Sequence, residues 1–140
     1  MRNDRPRPGE AVDAVPTGTR RVTGLKGEEA AARFLARSGY AIVDRNVRTR
    51  AGEIDLVARD GPTLVFVEVK TRRDMEGDPP QAAVNTRKQN RLGKLAQGYL
   101  KLKRVRQTPC RFDVVSVIFN DEGGVKAIRH IPNAFSVEPW

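Results

Sequence analysis

The chain has 140 residues, 39% of them apolar, with a single cysteine and a single histidine. That is one domain's length with room for a small core, and it excludes an internal disulfide and a Cys/His zinc site. Lys and Arg number 26 against 17 Asp and Glu, a net charge of +9; such a surplus attracts polyanions, nucleic acids above all, with basicity for solubility as the alternative.

Residues 1–22 are rich in Arg, Pro and Gly and lack apolar periodicity. They are expected to form a disordered basic tail ahead of a domain spanning 23–140. No apolar run approaches the ~20 residues of a membrane span, so the expectation is a soluble, cytoplasmic protein without a membrane partner. A first helix is predicted from about Leu25 to Ser38, capped by Thr23 and ended by Gly39. Leu25, Ala31, Ala32 and Leu35 form its inner stripe, and Glu28 falls on that stripe while Glu29 belongs outside with Arg33 and Arg37. An acid near a helix N-terminus is also favoured by the dipole alone. Strands follow at Tyr40–Asp44, Glu53–Ala58 and Leu64–Lys70, then a loop from Thr71 to Gln81. A second helix spans Thr86–Lys103 with Leu92, Leu95, Ala96, Tyr99 and Leu100 buried. Strands at Arg111–Phe119 and Val125–Ile131 complete the order α-β-β-β-α-β-β. Residues 132–140 read as a short tail whose Phe135 and Trp140 pack back. The helical crossover between the third and fourth strands implies one parallel pair in an otherwise antiparallel sheet. The fold class is therefore α/β, a mixed β-sheet flanked by helices.

The hairpin from Gly52 to Arg72 carries Asp55, Glu68 and Lys70 inside apolar strand pattern. With Asp60-Gly61 as a two-residue turn, Arg59 pairs with Pro62, Asp55 lies opposite Phe66 and Glu53 opposite Glu68. Asp55 and Glu68 become same-face diagonal neighbours roughly 5.5–8 Å apart, with Lys70 on that face. Two close carboxylates repel unless one is protonated or a cation lies between them. A hard divalent ion resolves the conflict, and a lysine beside it can orient water and neutralise charge on a phosphoryl group. The pattern points to metal-assisted phosphodiester hydrolysis; the alternative is an ion-paired patch on an exposed sheet face.

An Asp followed about a dozen residues later by Glu-x-Lys on a hairpin resembles the signature of the PD-(D/E)xK nuclease superfamily, although Ile54 stands where the superfamily has Pro. The stretches "GLKGEEAAARFLARSGYAIVDRNVRTRAGEIDLVARDGPTLVFVEVKTR", "AAVNTRKQNRLGKLAQGYL" and "RFDVVSV" resemble the YraN-like family of predicted endonucleases, similar to archaeal Holliday-junction resolvases. The likeness covers about Gly24 to Phe119. It implies a restriction-endonuclease-like fold and Mg²⁺ (or Mn²⁺) as cofactor. It also implies Asp55 and Glu68 as metal ligands with the main-chain carbonyl of Val69, and Lys70 and Glu28 as further catalytic residues. Glu53 is a weaker candidate on the same face. Resolvases cut two strands with two sites, so the likeness also implies a homodimer.

From Arg87 to Arg106 there are eight basic residues and no acid. Arg87, Lys88, Arg91 and Lys94 are candidate nucleic-acid-binding residues, Lys88 leaning toward the buried stripe; a solvated outer face is the alternative. No stacking platform interrupts the run, which suits backbone and shape recognition of DNA. Asp113 is expected to be a structural partner of a nearby Arg, Cys110 an inert small residue, and His130 a packing or surface residue. The leading expectation is a metal-dependent endonuclease acting on structured or branched DNA. A nucleic-acid-binding adaptor without catalysis and a module binding an acidic protein are the alternatives.

Overall fold

The computed structural model describes residues 19–73 and 84–137. In chain order the elements are α1 (Thr19–Arg37), β1 (Ala41–Thr49), β2 (Gly52–Asp60), β3 (Thr63–Arg73), α2 (Thr86–Leu102), β4 (Cys110–Phe119) and β5 (Val125–Phe135). The five strands form one sheet in sequence order. Only β3 and β4 run parallel, joined by the α2 crossover. The predicted α/β class and element order hold.

The helices cover opposite faces. Ala31, Ala32 and Leu35 of α1 pack on Leu56, Ala58, Val65, Val67, Val115 and Val117. Leu92, Leu95, Ala96 and Tyr99 of α2 pack on Ile54, Val57, Leu64, Phe66, Phe112 and Val114. With both faces covered, the central strands read as near-continuous apolar runs rather than alternating ones. No helix among the described residues is long and apolar enough to cross a membrane.

Several boundaries differ from the sequence reading. Helix α1 starts at Thr19 rather than Leu25, so residues 19–22, expected in the tail, are helical. Gly24 weakens a helix interior by only about 1 kcal/mol and does not stop it. Residues 1–18, most of the loop before Gln81, and Trp140 lie outside the described residues. Strand β5 continues past Pro132 to Phe135, which stacks on Phe112 at 4.9 Å between ring centroids. Proline is tolerated there because β5 is an edge strand and its pairing with β4 is irregular at that point, where Asn133 takes φ +52°.

The hairpin register also differs. Asp60 pairs with Thr63, Arg59 with Leu64 and Leu56 with Val67, so Gly61 and Pro62 form the turn. Pro62 has no N–H to give a ladder position. Gly61, at φ +60°, takes the left-handed position alone, which spares Asp60 from doing so.

At the turn end of this hairpin a polar network locks the sheet. Asp113 is fully buried. It accepts from Arg111 Nε (3.0 Å) and from the Asn133 N–H (2.9 Å), and it pairs with His130 Nε2 (2.7 Å). Arg111 also donates to Asp60 Oδ2 at 3.0 Å and to the Tyr40 hydroxyl. The Asp113–Arg pair expected from sequence is thus present, with Arg111 as partner, and His130 is held in the same network. Burial pushes the Cys110 thiol up, which fits an inert cysteine. Replacing Asp113 by Ala takes the carboxylate from His130 and the Asn133 N–H and leaves Arg111 only Asp60 and Tyr40; it is expected to cost about 3–5 kcal/mol, read as a lowered urea midpoint, and a loss under ~1 kcal/mol would contradict the structural role.

Candidate metal centre at the strand fork

Beyond Leu56 and Val67 the two hairpin strands part. Strand β2 stays paired with β1 as far as Gly52, while β3 stays paired with β4 as far as Arg73. Asp55 and Glu68 are the first residues past the split. Asp55 Oδ2 accepts the Val69 N–H at 2.8 Å, so a carboxylate takes the place of the missing ladder bond.

Both helices close on this opening, and a glycine permits each approach. A Cβ on Gly27 would collide with Thr71 Oγ1, so α1 lies hard against β3 and brings Glu28 to the fork. Gly52, at φ +148°, has Leu95 Cδ1 and the Arg91 side chain within 4 Å of where its Cβ would stand. The close approach at Gly27 was not expected from sequence.

Glu28, Glu53 and Asp55 each offer a carboxylate oxygen within 4.8 Å of the others. The Glu28 carboxyl stands beside that of Asp55. Asn46, with its amide nitrogen turned toward the acids, donates to Glu28 Oε1 (2.7 Å) and Glu53 Oε2 (2.8 Å). Asn46 sits at φ +49°, a left-handed conformation that Asn tolerates better than most residues. Arg48 lies 3.9 Å from Glu53 at the rim. Glu29 points away, bound to Arg33 and Arg45 at 2.9 and 2.7 Å, as its outward position predicted.

The expected diagonal pairing of Asp55 with Glu68 rested on a continuous ladder, and the ladder ends before it. Glu68 lies outside the group of three acids. Its Oε2 is 2.6 Å from Lys88 Nζ, with Glu68 8% and Lys88 28% exposed at the side chain. The charge of Glu68 still reaches Asp55. Burial, then Glu68, then Glu28 and Glu53 push Asp55 up to about 8, against the pull of the Val69 N–H. Glu28 is raised by burial and by Glu53. Burial and the Lys88 ammonium lower Lys70. Burial also depresses Lys88, but Glu68 outweighs it and the net shift is upward.

The fork therefore gathers Glu28, Glu53 and Asp55, with Glu68, Lys70 and Lys88 beside them. The Val69 group that meets Asp55 is its N–H. Among the basic candidates of α2, Arg87, Arg91 and Lys94 are exposed and Lys88 is half-buried. Asn46 was missed: a lone Asn in a polar stretch of strand carries no signal until the strand's partner acids are known.

An α/β domain with an acid cluster where two strands of a mixed sheet diverge is the class this geometry defines. The sequence profile of the uncharacterised protein family UPF0102 matches residues 27–117, and the chain belongs to that family. A UPF0102 protein of Symbiobacterium thermophilum is 54% identical over 117 residues, covering 84% of this chain and 98% of the relative. One from Pelobacter propionicus is 44% identical over 137 residues, covering 94% and 97%. A third, from Dictyoglomus turgidum, is 42% identical over 112 residues, covering 80% and 95%.

Asp55 binds its proton more tightly folded than unfolded between its ordinary value of 3.8 and about 8. Its contribution to the stability of the metal-free protein is full below the lower value and is lost as pH rises through the upper one. The melting temperature of metal-free wild type is expected to fall relative to Asp55→Asn from about pH 5 to about pH 8. A difference that stays constant with pH would contradict the assignment.

Proposed function

We propose that this protein is a metal-dependent endonuclease that hydrolyses phosphodiester bonds in structured or branched DNA, in the manner of a resolvase. The observation that carries the reading is the convergence of Glu28, Glu53 and Asp55 within 4.8 Å at a fork where Asp55 is driven toward its neutral form. Such a set is strained without a cation and suited to one. All its donors are carboxylate oxygens, which fit Mg²⁺ or Mn²⁺. Glu28, Glu53 and Asp55 would hold the ion, with Glu68 as a further ligand once released from Lys88. Bound there, a divalent ion supplies a polarised phosphoryl oxygen and a water of lowered pKa.

The chain's own residues account for the remainder. Lys70 reaches the fork from β3, and its lowered pKa makes the neutral amine available to orient an attacking water and take a proton from it. Arg91, lying over Gly52, together with Arg87 and Lys94, offers cations to the DNA backbone next to the acids. Bringing a phosphate past four carboxylates requires such a flank. The resemblance to PD-(D/E)xK nucleases supports the same assignment. Cutting both strands of a junction calls for two sites and hence a homodimer.

The second reading, an adaptor that binds nucleic acid without cutting it, is favoured by one contact: Lys88 already supplies Glu68 with a cation. Cleavage of labelled branched and linear DNA with Mg²⁺ or Mn²⁺ decides between them. Wild type is expected to cut, and Asp55→Ala and Lys70→Ala to lose at least about a hundredfold. No cutting, with equal DNA binding by all three proteins, would establish the adaptor. In either case, changing Arg87, Arg91 and Lys94 to Gln is expected to flatten the slope of log affinity against log salt by about 0.9 for each phosphate no longer neutralised. An unchanged slope would remove these residues from the interface.

A further inference from the structure

We infer that Lys88 is a tethered counter-ion that occupies the cation's place at Glu68 and must be displaced before this carboxylate can serve a metal. The inference rests on the metal-dependent reading above and adds a residue that controls metal loading.

The position of Lys88 is hard to explain by helix stability. Asn85 caps α2, and its Oδ1 accepts from the Lys88 N–H at 2.9 Å. Lys88 is therefore the third helical residue, where a capping box has Glu or Gln and where the helix dipole disfavours a cation. No acid occupies that first turn. The backbone here is well anchored: Val84 is buried, and its carbonyl accepts from the Gln89 side chain at 2.8 Å. A fixed backbone carries a locally unfavourable lysine, and its Nζ ends 2.6 Å from Glu68 Oε2.

Glu68 is itself 93% buried as a residue, so leaving its carboxylate without a cation would be costly. The positive end of α2 adds to the ammonium. The three acids across the fork already stand together; Glu68, outside that group, has its charge met by Lys88 at 2.6 Å. The Lys70 ammonium lies close enough to feel both Lys88 and Glu68, so two ammonium groups crowd one carboxylate. A divalent ion bridging the fork would take Glu68 from Lys88 and free the ammonium beside Arg87 and Arg91, toward the DNA flank. Metal loading and phosphate attraction would then be coupled through one side chain.

The test measures Mn²⁺ affinity by calorimetry in wild type, Lys88→Met, Glu68→Gln and the double variant, with Lys88→Arg and Lys101→Gln, an exposed cation in the last turn of α2, as controls. Lys88→Met is expected to bind Mn²⁺ about tenfold tighter than wild type, and to have no effect in the Glu68→Gln background. Both controls should stay close to wild type. In the wild-type sequence, ¹³C-methylated lysines followed by NMR give an independent readout: the Lys88 signal, assigned through Lys88→Arg, should move as Mg²⁺ is added. This second readout applies even if Lys88→Met fails to fold. Metal binding and DNA cutting by wild type, with an unmoved Lys88 signal or equal affinities, would overturn this inference alone. Tight Mn²⁺ binding by Lys88→Met without DNA cleavage by any variant would support it and remove the nuclease reading. Absence of binding in every protein would overturn both.

Discussion

One hydrogen bond organises this molecule's candidate site: the Val69 N–H donates to the Asp55 carboxylate where β2 and β3 separate. A backbone donor at the end of a ladder needs an acceptor. Supplying it from a side chain lets the strands diverge without leaving the donor orphaned. The divergence makes room for α1 on one side, through Gly27, and for α2 on the other, through Gly52. Each helix then delivers its own group, Glu28 from the first and Lys88 from the second. The acid cluster is thus a consequence of how the hairpin ends.

Fully buried Asp113 and half-buried Asp55 differ in what surrounds their charge. Asp113 has a guanidinium, an imidazole and a backbone N–H around it, so its charge is met on all sides. Asp55 has one backbone N–H and three carboxyl neighbours, so its charge is resisted. Both lose water contact, Asp113 wholly and Asp55 in part; the sign of the neighbours differs. A site whose groups oppose one another persists only where the surrounding fold holds it in place. Here the core on both sheet faces and the Asp113 network at the far end of the hairpin provide that support. Asn46 works within the cluster itself, holding two acids side by side with one amide.

Much of this was legible in the residues. Two strand patterns at β3 and β4, separated by a helix with a clean buried stripe, implied a parallel crossover. Glu28 was readable as inward because it shares the stripe of Ala31 and Ala32. Alternation along β3 placed Glu68 and Lys70 together. What escaped were features set by single-residue backbone chemistry or by contacts distant in sequence. Pro62 moved the turn by one residue and the register with it. The strand fork has no local signal, since each strand remains well paired on its other side. Asn46 and the Lys88–Glu68 pair depend on which elements meet, and strand periodicity does not encode that. Lys88 did leave a trace, as a cation where a helix start favours an acid.

The most direct measurement is anomalous diffraction from crystals of the wild-type protein soaked in Mn²⁺. The account predicts a peak at coordination distance from the carboxylates of Asp55 and Glu28, at the fork between β2 and β3. A soaked crystal with no peak there, and with Asp55 still bound to the Val69 N–H among its acid neighbours, would contradict the claim that these groups are assembled to take a cation.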